Sequence, residues 1–220
     1  MASAQFPDAQ LPAGVAVQPL ASFPTQRWRN GGGTTRALAE APDGGWRVSL
    51  ADVERDGPYS RFAGMTRLSL VMEGSGVTLR DAADEVWLQR GIPVGYDGER
   101  AWQATLCEGP VIALNAMAAH GRFRARMTPL RHATLVPSGF FTLVLTLNGR
   151  CAWHTEDGNS ATTPDEASVM TCGPEAGSLV LTPLPFVVQT GRRRISGFTA
   201  ALVTIEPVGP SDIQKRGNNV

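Results

Sequence analysis

Trp46-Arg47-Val48-Ser49-Leu50-Ala51-Asp52-Val53 is a run with a period of two. Trp46, Val48 and Leu50 share one face; Arg47, Ser49 and Ala51 share the other. Successive side chains of a strand point to opposite faces, so the run reads as a β-strand with one apolar and one mixed face. Arg67-Leu68-Ser69-Leu70-Val71-Met72-Glu73 repeats the arrangement, with Leu68, Leu70 and Met72 opposite Arg67, Ser69, Val71 and Glu73. Each strand carries an arginine followed, two residues on, by a serine. If both polar faces line one cavity, Arg47 and Arg67 converge with two hydroxyls beside them. The same pattern also suits two solvated faces of an antiparallel sheet.

Outward from these runs, short strand candidates follow one another between turn signals. Val15–Leu20 and Thr34–Glu40 precede; Val77–Leu79, Val86–Leu88, Gly91–Val94, Trp102–Leu106 and Val111–Met117 follow. Pro42-Asp43-Gly44-Gly45, Asp56-Gly57-Pro58 and Gly74-Ser75-Gly76 separate them. Short strands with frequent Gly/Asp/Pro turns, and no sustained helical period before residue 118, argue for an all-β sandwich or barrel. Residues 118–131, with Arg122, Arg124, Arg126 and Arg131, read as a linker or crossover with a solvated basic face.

The second half echoes the first. Gly64 and Gly74 are matched by Gly139 and Gly149, and Leu68, Leu70 and Met72 by Leu143, Leu145 and Leu147, at a constant offset of 75 residues. Ile112–Met117 has a weaker echo in Ala200–Ile205. Such self-similarity favours two related β units. Thr142 stands where the first copy has Arg67, so a polar site belongs to the first copy. The expected organisation is a loose arm over 1–14, a first barrel over 15–120, a second over 121–206 and a tail over 207–220.

The chain has 220 residues, 42% of them apolar, and a formal net charge of zero. No global field favours nucleic acid or anionic lipid. Lys215 is the sole lysine, so any basic pocket is built from guanidinium forks, which suit carboxylates. Cys107, Cys151 and Cys172 have no C-x-x-C spacing and fit free thiols, with Cys107 expected to be buried. Residues 1–18 lack a basic and apolar leader pattern, and no apolar run approaches membrane-span length. A cytoplasmic protein is expected, with no membrane and no nucleic-acid partner; a homodimer stays open.

Trp28-Arg29-Asn30-Gly31-Gly32-Gly33-Thr34-Thr35-Arg36 is the densest polar stretch. Three glycines allow close approach, and their amides can converge on an anion flanked by arginine forks; the same composition also suits an ordinary flexible turn beside a packed Trp. It is not a P-loop, because no lysine follows the glycines. His120, His132 and His154 are dispersed, and no metal or other cofactor is expected. Asp56 and Glu73 are the carboxylates that an acid–base mechanism would use.

These motifs carry a family resemblance. Trp28-Arg29-Asn30-Gly31-Gly32-Gly33-x-Thr35, Arg47-Val48-Ser49-Leu50-Ala51, Asp56-Gly57-Pro58-Tyr59-Ser60-Arg61-Phe62-Ala63-Gly64-Met65-Thr66-Arg67 and Asn115-Ala116-Met117 resemble, in this order, the signatures of the HutD/Ves family. The resemblance covers residues 16–120 closely and the remainder loosely. It implies an all-β bicupin, two cupin-like barrels (double-stranded β-helices) from one chain, without the usual cupin metal ligands. It also implies a small-anion binding protein with a regulatory role in histidine utilisation, through N-formyl-glutamate or a similar dicarboxylate. On this resemblance Arg47 and Arg67 are the carboxylate partners, with Asn30, Ser49 and Asn115 as further ligand-binding residues and Arg36 adjacent. The alternatives are a cupin-type isomerase or hydrolase with a carboxylate base, and a structural or protein-interaction module.

Overall fold

The computed structural model describes residues 11–184, 186–190, 193–197 and 199–209, with side chains left aside over 185–198. Most of the expected arm and most of the expected tail lie outside these residues. In chain order the elements are β1 (Val15–Pro19), a 3-10 turn (Leu20–Ser22), β2 (Thr25–Arg27), β3 (Gly33–Glu40), β4 (Trp46–Val53), β5 (Gly57–Pro58), β6 (Met65–Glu73), β7 (Gly76–Arg80), β8 (Glu85–Gln89), β9 (Val94–Asp97), β10 (Gln103–Leu106), β11 (Val111–Ala119) and β12 (Phe123–Pro129). They continue as β13 (Thr134–Val136), β14 (Phe141–Asn148), β15 (Arg150–Thr155), β16 (Ser160–Thr162), β17 (Ser168–Cys172), β18 (Leu179–Leu184), β19 (Phe186–Thr190), β20 (Arg193–Gly197) and β21 (Thr199–Pro207). The protein is an all-β bicupin.

Two compact units form, and they do not follow a simple halving of the chain. The first holds Phe23–Pro129 and the described residues from Val203 on; the second holds the described residues up to Ser22 and Leu130–Leu202. Strand β1, expected in the first barrel, pairs antiparallel with β17 of the second unit. The stretch expected as a linker contains β12, held in the first unit through Val208 N–H to Arg122 O and the Arg126–Glu206 ion pair. Arg122 also pairs with Asp43. The strand expected over Gly91–Val94 starts at Val94, because Gly91 turns the chain at φ 76°.

The repeat has a structural basis. Strands β6 and β11 are neighbours in one sheet, and their echoes β14 and β21 are neighbours in another. Gly64, Gly74, Gly139 and Gly149 all adopt positive φ, the backbone region in which glycine alone avoids a Cβ penalty. No helix among the described residues is long and apolar enough to cross a membrane.

In the first unit a six-stranded sheet, β2-β3-β4-β11-β6-β9, faces a four-stranded sheet, β5-β10-β7-β8. Ala51, Val53, Val71, Val77, Leu79, Leu88, Tyr96, Trp102, Ala104 and Val111 pack between them. Each fully buried large apolar side chain contributes roughly 1.5–3 kcal/mol. This cluster plugs one end of the unit. Along the same inward face the composition then changes: Val53 and Ala51 give way to Ser49 and Arg47 on β4, and Val71 to Ser69 and Arg67 on β6. The apolar end supplies the core, and the polar end is left to form a cavity. The second unit is filled instead by Leu130, Val136, Val144, Cys151, Trp153, Met170, Cys172, Leu179 and Leu181. Cys151 and Cys172 are buried there, and burial pushes the Cys151 thiol up to about 11. Cys107, expected to be buried, is exposed.

A charged clamp stiffens the β7–β8 turn. Arg100 donates to both Asp81 and Asp84 and lies over the Trp102 ring. The Arg100 hydrogen bond, helped by the Ala83 and Asp84 amides, holds Asp81 down to about 2. A depressed carboxyl contributes stability that is present above its ordinary range near 3.8 and is lost as pH falls toward about 2. Thermal melts between pH 4.5 and 2 are therefore expected to show a shallower acid loss for Asp81→Asn than for wild type. An unchanged acid limb would remove this pair from the account.

Candidate functional site

Register builds the site. Met117 on β11 lies between Arg47 on β4 and Arg67 on β6, and Tyr96 on β9 extends that row beyond Arg67. In the next row Asn115 lies between Ser49 and Ser69. Because side chains alternate, both rows project to the same side of the sheet. Arg47, Met117 and Arg67 of the first row and Ser49 and Asn115 of the second form the floor of a cavity of about 480 Å³, with Ser69 and Tyr96 buried beside them. Its walls come from Gln26–Asn30 and Thr35, and from Pro58, Tyr59, Ser60 and Phe62. The two polar faces read from the sequence thus line one cavity.

Arg67 is 6% exposed. Its guanidinium lies 5.1 Å from the Tyr59 ring centre, 5.5 Å from Phe62 and 5.2 Å from Tyr96. It donates long hydrogen bonds, both 3.4 Å, to Ser60 O and Asn115 Oδ1, and its buried Nε has no partner. No carboxylate pairs with it among the described residues. Arg47 is loosely held: its Nε forms a long ion pair with Glu40 at 3.9 Å, and this buried atom makes no hydrogen bond. Arg29 and Arg27 line the rim, the latter 3.7 Å from Glu54. Among the described residues, four arginines and no acidic side chain line this cavity.

Asn115 is held by a buried chain. Its Oδ1 accepts from Ser69 Oγ at 2.7 Å, its Nδ2 donates to Ala113 O at 3.1 Å, and Ser69 Oγ lies 2.9 Å from Tyr96 Oη. On the opposite wall Trp28 Nε1 donates to Thr35 Oγ1 at 2.7 Å, and the indole meets Tyr59 edge-on at 6.1 Å. Tyr59, Ser60 and Phe62 were legible only inside the motif that contains them, and Tyr96 carried no sequence signal. Its role comes from register beside Arg67.

Of the residues expected at the site, Asn30, Arg47, Ser49, Arg67 and Asn115 line the cavity; Arg36 does not. Thr35 faces inward, so alternation turns Arg36 to the other side, where it lies 3.5 Å from Asp52. The glycines follow the ordinary-turn reading rather than the anion nest. Gly31 N–H donates to Trp28 O and Gly32 N–H to Asn30 Oδ1, so these amides are engaged within the loop. Asn30 is structural as well as lining: its Nδ2 reaches Pro58 O at 3.3 Å and ties the two walls together.

Among the described residues no Asp, Glu, His, Cys or Lys lines the cavity. Asp56 accepts from Leu106 N–H at 2.8 Å, and neither it nor Glu73 lies in the lining. Burial in the wall pushes the Tyr59 phenol above its ordinary range, keeping it neutral. Among the described residues no group of three or more His, Cys, Asp or Glu is placed to hold a metal ion.

Comparison with known proteins agrees with this architecture. A Pseudomonas putida protein described as an uncharacterized 21.2 kDa protein in the hutC 3' region is 36% identical over 111 residues, 48% of this chain and 58% of the relative. Protein Ves of Citrobacter koseri is 33% identical over 114 residues, 49% of this chain and 60% of that protein. The chain therefore spans about three-fifths of the length of these relatives. A conserved protein of unknown function from Pseudomonas aeruginosa PAO1 superposes with a TM-score of 0.73 at 23% identity, covering 89% of this chain and all of that one. HutD from Pseudomonas fluorescens SBW25 gives 0.70 at 22% identity over the same shares. A cupin 2 conserved barrel domain protein from Leptotrichia buccalis gives 0.51 at 9% identity, covering 90% and 98%. The HutD family model matches residues 20–181, most of the chain and the whole of the cavity lining, and the chain belongs to the HutD family.

Proposed function

We propose that the first unit binds a small dicarboxylate of the N-formyl-glutamate type and reports its level in histidine utilisation. The observation that carries this reading is the lining: four arginines without an acidic side chain, one of them buried and lacking a counter-ion among the described residues. Burying a cation costs several kcal/mol unless it is paired, and a ligand carboxylate supplies the pair. Arg47 and Arg67 flank Met117 two strand spacings apart, roughly 10 Å at the backbone, and both line the cavity. That spacing suits two anionic groups joined by a short apolar chain lying over Met117. The relative from the hutC 3' region supports the metabolic context.

Calorimetric titration with N-formyl-L-glutamate and glutarate tests the reading. Saturable binding at one site per chain is expected, weakening as salt rises because the rim arginines are exposed. Arg47→Ala is expected to weaken binding about tenfold or more, since a charge-assisted hydrogen bond contributes about 1.5–3 kcal/mol. No heat with either anion would overturn the proposal.

A further inference from the structure

We infer that Asn115, oriented by Ser69 and Tyr96, makes the cavity select dicarboxylates whose α-substituent is an acylated amine or absent, and reject those with a free ammonium. This rests on the dicarboxylate reading above and adds to it a selection rule.

The orientation of the Asn115 amide follows from its neighbours. Arg67 Nη2 can only donate and Ala113 O can only accept. The oxygen must therefore face Arg67, and the NH2 must face Ala113. An amide oxygen cannot donate, so Ser69 spends its one hydroxyl proton on Asn115. In the remaining bond Tyr96 must then donate to Ser69. The proton order runs one way, from Tyr96 through Ser69 to Asn115. Turning the amide over would set its N–H groups against the Arg67 guanidinium and its oxygen against Ala113 O. Asn115 has a second N–H beyond the one given to Ala113, and the residue lines the cavity. The floor thus offers donors from Asn115, Arg67 and Arg47.

A ligand group placed there must accept. An acyl carbonyl beside a carboxylate does so. An α-ammonium brings three donors and a positive charge among arginines, with no carboxylate among the described lining residues to receive it. Specificity that leaves buried polar groups unpaired is steep, because the mismatch is paid in full desolvation.

The test is calorimetry with three probes on the intact chain: N-formyl-L-glutamate, glutarate and L-glutamate. The first two are expected to bind, and L-glutamate to bind at least ~100-fold more weakly, as expected for an unpaired buried charge. Asn115→Asp puts an acceptor where the donor stood and is expected to move the L-glutamate to N-formyl-L-glutamate affinity ratio toward glutamate by ~100-fold. Tyr96→Phe keeps the ring against Arg67 but removes the proton that orders Ser69. Its discrimination is expected to fall by roughly 3–10-fold, the loss of one neutral hydrogen bond, an effect on the ratio that a merely structural role would not produce. The wild-type panel decides the matter even if Asn115→Asp fails to fold. L-glutamate binding within ~3-fold of N-formyl-L-glutamate, with glutarate also bound, would overturn the selection rule and leave the dicarboxylate reading intact. Silence from all three probes would overturn both.

Discussion

Arg67→Met is expected to abolish dicarboxylate binding while leaving the unliganded protein at least as stable as wild type. The two halves of this result have one cause. The cavity holds a guanidinium that is 6% exposed, with two hydrogen bonds at 3.4 Å and an unpartnered Nε. Removing a cation from water costs several kcal/mol. Three ring contacts return roughly 0.5–2 kcal/mol each. Hydrogen bonds of that length return little. The balance is left for an anion to complete. Methionine is unbranched, fills the space among Tyr59, Phe62 and Tyr96, and makes favourable sulfur–ring contacts. The charge penalty disappears, so the unliganded melting temperature is expected to stay level or rise by a few degrees, about 2–4 °C per kcal/mol for a chain of this size. Loss of a buried pairing partner costs about 3–5 kcal/mol, so affinity is expected to fall by more than ~100-fold. Scanning calorimetry with and without N-formyl-L-glutamate reads both quantities. Wild type should gain about 2.7 kcal/mol at one hundred times its Kd, and the variant nothing. A variant that melts far below wild type would make Arg67 a structural residue, and retained affinity would move the anchor elsewhere in the cavity.

The inward faces of β4 and β6 were legible because a strand's period of two leaves little choice. Arg47 and Ser49 must share a side, as must Arg67 and Ser69. The pattern alone does not say that the two strands flank a third. Asn115 and Met117 come between them only because β11, more than forty residues beyond Arg67, inserts in that register. Long-range register is set by the whole sheet, so Tyr96 and the directed Tyr96–Ser69–Asn115 chain were out of reach of local reading. Arg36 shows a different failure. Proximity in sequence to the glycines suggested the site, whereas alternation from Thr35 already turns it away. The expected domain limit missed β1 for the same reason as register: the edge a strand joins is not encoded in its own residues. Thr142 in the place of Arg67 was informative. The second unit has apolar side chains, Trp153 and Met170 among them, in its interior, so one barrel of the pair carries the charged site and the other a packed core.

Gly33→Ala is expected to be the most damaging single-methyl change in the first unit. A Cβ at this position would stand 2.1 Å from Asp52 O, 3.2 Å from the Asp52 carbonyl carbon and 3.3 Å from Val53 Cα. All three are backbone atoms, so no side chain can swing aside. The φ of Gly33 is not positive, and the cost is therefore steric rather than conformational. One strand must move. β4 is bonded along its whole length to β11, so β3 yields at its first residue. That displacement strains Thr34 Oγ1 to Asp52 at 2.9 Å, Trp28 N–H to Gly33 O at 3.0 Å and Glu54 N–H to Gly32 O at 2.9 Å. Overpacking with loss of such bonds costs about 2–4 kcal/mol. The melting temperature is then expected to fall by roughly 10 °C. Trp28, Arg29 and Asn30 are carried by the same loop, so binding of N-formyl-L-glutamate is expected to weaken by at least about tenfold, as when a buried contact is lost. Gly64→Ala is the control. Nothing lies within 4 Å of its Cβ, but its φ of +69° costs an alanine about 1–2 kcal/mol. The melting temperatures should therefore rank wild type, then Gly64→Ala, then Gly33→Ala, with affinity reduced only in the last. Equal melting of the two variants would show that the close approach of β3 to β4 costs no more than a left-handed backbone does.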